Sequence, residues 1–177
     1  MGEMVKGYVK IIGEGSLVVE KTASDGYRLA TGTVVVGGED GVREGYFEVE
    51  LTKDGAYDDM SGIMVGMVKT GLDHDTYHDE TNNAWYLYAG SGGLAGNGKN
   101  GRDEQGKLKV GDRVGVLVDL DGGEGGDGGS VRFFVNGLEY GSGFKSGVVG
   151  PVVLGVELHY LSQQVTLLPD AEKPAGA

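Results

Sequence analysis

Hydrophobic and polar positions alternate with period two along most of this chain, and no run of ten or more residues has helical spacing. The clearest case is 112–119 followed by 130–136. In the first run Val114, Val116 and Val118 share one face, with Arg113, Gly115, Leu117 and Asp119 on the other. In the second, Val131, Phe133 and Val135 alternate with Arg132, Phe134 and Asn136. β-branched and aromatic residues suit a pleated, half-buried surface, and a connection of glycine and acid joins the runs, so the pattern predicts a β-hairpin. Asn136-Gly137 then supplies a tight-turn signal, from which 138–144 can fold back as a third strand.

The same reading predicts strands elsewhere. Over 46–51, Phe47, Val49 and Leu51 point inward while Tyr46, Glu48 and Glu50 form a wet face. Residues 63–68 are apolar on both faces apart from Gly66, the mark of a strand in the middle of a sheet. In 84–89, Trp85 and Leu87 share one face and Tyr86 and Tyr88 the other, and Trp85 is expected to anchor the core. Short strands are expected at 5–12, 17–20 and 33–36, and later ones at 151–158 and 163–168. That leaves loops at 37–44, 54–60, 69–83, 91–107 and 157–162, where chemistry or binding would sit on a rigid scaffold. The fold class is all-β: a sandwich of two antiparallel sheets with long variable loops at one end. One domain is expected over 1–168, with N-terminal strands in 4–36 and a core in 45–168, followed by a flexible tail or linker over 169–177.

Composition narrows the function. Glycine fills 36 of 177 positions against 3 prolines, which suits many tight turns between short strands. With no cysteine, a disulfide scaffold and thiol catalysis are both excluded. No stretch of 18 apolar residues occurs, and the opening MGEMVKGY lacks the layout of a signal peptide, so an intracellular protein with no membrane partner is expected. The 27 acids and 15 bases give a formal charge of −12, which argues against nucleic acid. Between 99 and 113, however, Lys99, Arg102, Lys107, Lys109 and Arg113 face only Asp103, Glu104 and Asp112. This local excess could steer an acidic or phosphorylated segment.

Four stretches resemble catalytic or metal motifs, and each falls short. GLAGNGKN at 93–100 has the spacing of a phosphate loop, but Asn100 stands where Ser or Thr would hold magnesium, and no apolar helix follows. His74 and His78 in HDTYH stand four apart, yet the flanks are loop-like and the general-base glutamate of the zinc helix motif is missing. DLDGGEGGD at 119–127 breaks the calcium-loop pattern at Gly123 and Ser130. Glu48 and Glu50 share a strand face at about 7 Å, wider than the roughly 5–5.5 Å of a retaining glycosidase pair. No catalysis, metal or cofactor is expected.

Taken in order, GYFEVEL at 45–51, SGIMVGMV at 61–68, NAWYLYAG at 83–90, GDRVGVLVD at 111–119, VRFFVNG at 131–137 and GPVVLGVEL at 150–158 resemble the SPRY (B30.2) domain family, over residues 46 to 167. The resemblance implies a two-sheet sandwich that acts as a protein-interaction module, gripping a peptide or partner domain through loops at one end. By position it implies a basic contact at Arg43, an aromatic wall at Tyr77, and contacts from Leu158, His159 and Tyr160 in the late loop. The family often has tryptophan in that loop, and this chain does not. The expected site is a preformed pocket with Tyr77 and Tyr160 as walls and Arg43 as anchor, with Lys99 and Arg102 steering an acidic ligand. The expected protomer is a monomer. The alternative is a glycan-binding lectin on the same architecture, with Asn82, Asn83 and Trp85 as its nearest platform.

Overall fold

The computed structural model describes residues 9–12, 18–23, 26–57, 60–102 and 104–177, without the side chains of 9–12 and 100–102. Its strands are Val9–Ile12 (β1), Val18–Lys21 (β2), Arg28–Thr31 (β3), Glu44–Asp54 (β4), Ile63–Lys69 (β5), Ala84–Tyr88 (β6) and Gly93–Gly96 (β7). They continue with Lys99–Arg102 (β8), Arg113–Asp119 (β9), Gly129–Val135 (β10), Leu138–Glu139 (β11), Phe144–Val148 (β12), Val152–Leu158 (β13) and Gln163–Leu167 (β14). Sheet I runs β1-β2-β14-β4-β9-β10-β11, with β12 also on β10, and sheet II runs β3-β13-β5-β6-β7-β8. The pairs are antiparallel throughout. Among the described residues no helix is long and apolar enough to cross a membrane.

Alternation decides what each sheet buries. Val49 and Leu51 of β4, Val114, Val116 and Val118 of β9, and Val131 and Phe133 of β10 face the gap between the sheets. Val65 and Met67 of β5, Trp85 and Leu87 of β6, and Leu154, Val156 and Leu158 of β13 meet them from sheet II. Each side chain removed from water in this way contributes about 1.5–3 kcal/mol. Asn136 and Gly137 adopt φ of 52° and 80°, the paired positive values of a two-residue hairpin turn. They reverse β10 into β11 with Val135 opposite Leu138.

Sheet II is covered on its outer face as well, which explains why 63–68 is apolar on both sides. Leu29, Met64, Val68, Tyr86, Ala95 and Val153 form a second buried cluster, with Tyr27 and Leu72 against it. The long connection from β5 to β6 folds back over this face. His74 Nδ1 donates to the Leu29 carbonyl at 2.8 Å, and Leu29 N–H returns a bond to the His74 carbonyl at 3.1 Å. Further along, Asn97 N–H donates to the Thr81 carbonyl at 2.8 Å.

Two segments differ from the sequence reading. The stretch 91–107 is not all loop, because it contains the β7–β8 hairpin, turned at Asn97 (φ 48°) and Gly98 (φ 74°). Residues 33–36 are not a strand: Val36 makes one bridge to Val152, and the strand against β13 is β3. After Gly32, whose N–H reaches the Leu154 carbonyl, the chain leaves the sheet and Val34 is exposed. Beyond β14, Leu168 N–H donates to the Glu48 carbonyl at 2.9 Å and Lys173 pairs with Glu44 at 3.0 Å, so the C-terminal segment runs back along β4.

Candidate functional site

Strand β4 spans 11 residues, so the loops before Glu44 and after Asp54 lie at opposite ends of the sandwich, roughly 35 Å apart. Past Asp54, the loops after β2, β4, β6 and β13 converge. Ala56 N–H donates to the Leu161 carbonyl at 3.0 Å, and Gly62 N–H to the Tyr88 hydroxyl at 3.3 Å. A row of five rings crosses this end. Tyr77 and Tyr27 have centroids 6.1 Å apart, Tyr27 and His159 4.5 Å, His159 and Tyr160 4.6 Å, and Tyr160 and Tyr57 5.2 Å. The outer members are open to solvent, Tyr57 at 71% and Tyr77 at 53% of full exposure, and the three between them are half-buried.

Buried polar groups hold the row in place. Gln163 is fully buried, and its Oε1 accepts from the N–H groups of His159 (3.0 Å) and Tyr160 (2.9 Å). Its Nε2 donates to the Ser61 carbonyl at 2.7 Å, so one side chain ties the late loop to the loop before β5. Gly62 closes that joint. At φ 85° it takes a conformation that disfavours side chains, and a Cβ there would lie 2.5 Å from the His159 Cβ. Under the loop that carries Tyr77, Glu157 is fully buried. Its Oε1 accepts from the Tyr86 hydroxyl and from His78 N–H, both at 2.8 Å, while Oε2 has no hydrogen-bond partner.

Burial acts on two of the inner rings. Burial, and then the charge of Lys21, hold the His159 imidazole below the ordinary histidine value, so the ring is uncharged at neutral pH. Burial raises the Tyr27 phenol, and Tyr88, Asp79 and Glu157 push it further the same way. Burial also lifts the Glu157 carboxyl to about 7, outweighing the two hydrogen bonds that favour its charged form. Five amphipathic rings with few rotatable bonds make a surface suited to gripping a partner.

Residues 44–165 match the family model of the SPRY domain. The chain belongs to the SPRY family. The SPRY fold is also that of two solved structures, both below 25% identity. The crystal structure of the SPRY domain of human HERC1 superposes with a TM-score of 0.68 at 17% identity, covering 88% of this chain and 90% of that one. A crystal structure of a human SPRY domain gives 0.69 at 20% identity, covering 94% and 99%. No curated protein sequence matches the chain.

In this SPRY domain the residues expected to form one pocket are split between the two ends. Tyr77, His159 and Tyr160 come together. Arg43 does not: it precedes β4 at the far end, where its guanidinium binds Asp121 at 2.9 Å, so it cannot anchor a ligand held between Tyr77 and Tyr160. Leu158 is a correction too, because the alternation of β13 turns it into the core at 0% exposure. Lys99 lies at the β7–β8 turn, also away from the row. Its Nζ reaches the Gly143 carbonyl at 3.4 Å and stands 5.2 Å from the Phe144 ring centre. The Arg102 side chain falls outside the described residues.

The expected lectin platform is not assembled, since Trp85 is 1% exposed and packed between the sheets. The HDTYH rings are occupied locally: His74 as described, and His78 through Nε2 donating to the Asp73 carbonyl at 2.8 Å. Among the described residues no group of three or more His, Asp or Glu is set to hold a metal. Sequence reasoning missed Tyr27, Tyr57 and Gln163. Tyr57 did leave a signal, a lone aromatic in the polar loop DGAYDD with no alternating strand to bury it.

Proposed function

We propose that this SPRY domain binds an extended segment of a partner protein along the aromatic row, and that it carries out no chemistry. The observation that supports this reading is the unbroken contact of Tyr77, Tyr27, His159, Tyr160 and Tyr57, with both outer rings exposed. Contiguous exposed apolar surface marks interaction sites, and rigid tyrosines concentrate binding energy at interfaces. Laid straight, the four centroid steps span about 20 Å, the length of about six residues of extended chain. Because Gln163 and Gly62 fix the loops beforehand, binding does not have to order them.

The test is a quantitative pull-down with wild type, the Tyr57→Ala/Tyr160→Ala double variant and Arg43→Glu, each first shown to melt cooperatively. The proteins retained by wild type should be lost by the aromatic variant and kept by Arg43→Glu. Loss with Arg43→Glu and retention by the aromatic variant would move binding to the opposite end and overturn the proposal.

A further inference from the structure

Beside Tyr27, on the outer face of sheet II, lies a cavity of about 270 Å³. Met64 and Tyr88 line it from the sheet, Tyr27 from the row, and Ser91 from the loop after β6. Its charged lining among the described residues is acidic: Asp79 and Glu104. Asp79 Oδ1 is screened from water and has no hydrogen-bond partner, while the backbone N–H groups of Asp79 and Glu80 favour the charged form of the carboxyl. Glu157, opposite Met64 in the β13–β5 register and on the same face of the sheet, places a third acid beneath this region. It too has an oxygen with no hydrogen-bond partner.

The base next to Tyr27 in the chain, Arg28, is directed to other groups. Arg28 donates to the Tyr27 carbonyl at 2.8 Å and lies 3.7 Å from Asp75. The volume falls below the roughly 300–1,000 Å³ of pockets that enclose a whole drug-sized ligand, and suits one long side chain. Tyrosine faces attract cations, carboxylates pair with them, and the chain's charge of −12 draws them in.

We infer that this cavity receives the cationic head of an arginine or lysine side chain carried by the segment that crosses the aromatic row. The inference rests on the peptide-binding reading above and gives that segment a charge, opposite in sign to the one expected from the bases at 99–113. Burial, and next the charge of Glu80, hold the Asp79 carboxyl above its ordinary value, a bias that a bound cation relieves.

The experiment uses pools of random nine-residue peptides whose central residue is fixed as arginine, lysine, citrulline or glutamate. Each pool is passed over the full chain, over Asp79→Asn and Glu104→Gln, and over Tyr57→Ala/Tyr160→Ala, all checked for cooperative melting. Wild type should retain the arginine and lysine pools about tenfold better than the citrulline and glutamate pools. Either acid variant should erase that preference while still retaining peptide, and the aromatic variant should lose all four pools. Equal retention of the four pools by wild type overturns the cation site and leaves the aromatic-row reading in place. A preference unchanged in both acid variants overturns the cation site alone, and no retention of any pool overturns both.

Discussion

Replacing Glu157 by glutamine separates the cost of this buried acid from the bonds it makes. The carboxyl is lifted from 4.5 to about 7 in the folded protein, chiefly by burial. Between those values the native state keeps a proton that the unfolded chain has released. Stability from this group is therefore fully present below 4.5, falls as pH rises, and is lost above about 7. At about 1.4 kcal/mol for each tenfold change in proton activity, the whole window is worth about 3 kcal/mol. Glutamine keeps an oxygen for the Tyr86 hydroxyl and His78 N–H but does not titrate. Its amide nitrogen would take the place of an oxygen that has no partner, a fixed cost of about 1–3 kcal/mol at every pH. Urea unfolding of both proteins at several pH values from 4.5 to 8.5 gives the difference directly. That difference should move in favour of Glu157→Gln by about 3 kcal/mol across the range, because other titrating groups cancel in the comparison. A difference that does not change with pH would refute the reasoning.

Three further substitutions test other parts of the structure. Gln163→Leu leaves two part-buried N–H groups and the Ser61 carbonyl without their partner, and should cost about 2–4 kcal/mol in urea unfolding while changing the NMR shifts of His159 and Tyr160. Leu158→Ala should lose about 2–5 kcal/mol of stability in the same assay, with partner capture per folded molecule unchanged, as befits a core residue. Gly98→Ala should cost about 1 kcal/mol by thermal unfolding, from the backbone alone, because nothing lies within 4 Å of the added carbon.

Strands whose alternation is dictated by one buried face were legible in the sequence: β4, β9 and β10 announce themselves through Val, Leu and Phe at every second position. The β7–β8 hairpin was not, because GLAG and KNGR offer little β-branched or aromatic surface; its evidence was the Asn97-Gly98 turn, the same dipeptide that was read correctly at Asn136-Gly137. The candidate site was legible only in part. His159 and Tyr160 follow β13 directly, and Tyr77 stands out by position in the family pattern, but what joins Tyr77 to them is Tyr27, from a loop distant in sequence, and Tyr57 extends the row beyond Tyr160. Arg43 was assigned to the same pocket because the sequence carried no measure of the length of β4, which separates it from the row. Leu158 was placed in the loop although its position in the alternation of β13 already pointed inward.

The family match begins at residue 44, downstream of β2 and β3, yet β2 pairs with β14 in sheet I and β3 with β13 in sheet II. A shortened protein started at residue 44 would therefore unzip one border in each layer at once. The uncovered border of sheet II would be Val152–Leu158, a seven-residue strand buried throughout. A bare apolar strand with unpaired N–H and C=O groups recruits further strands, so trimming to the matched region should promote self-association.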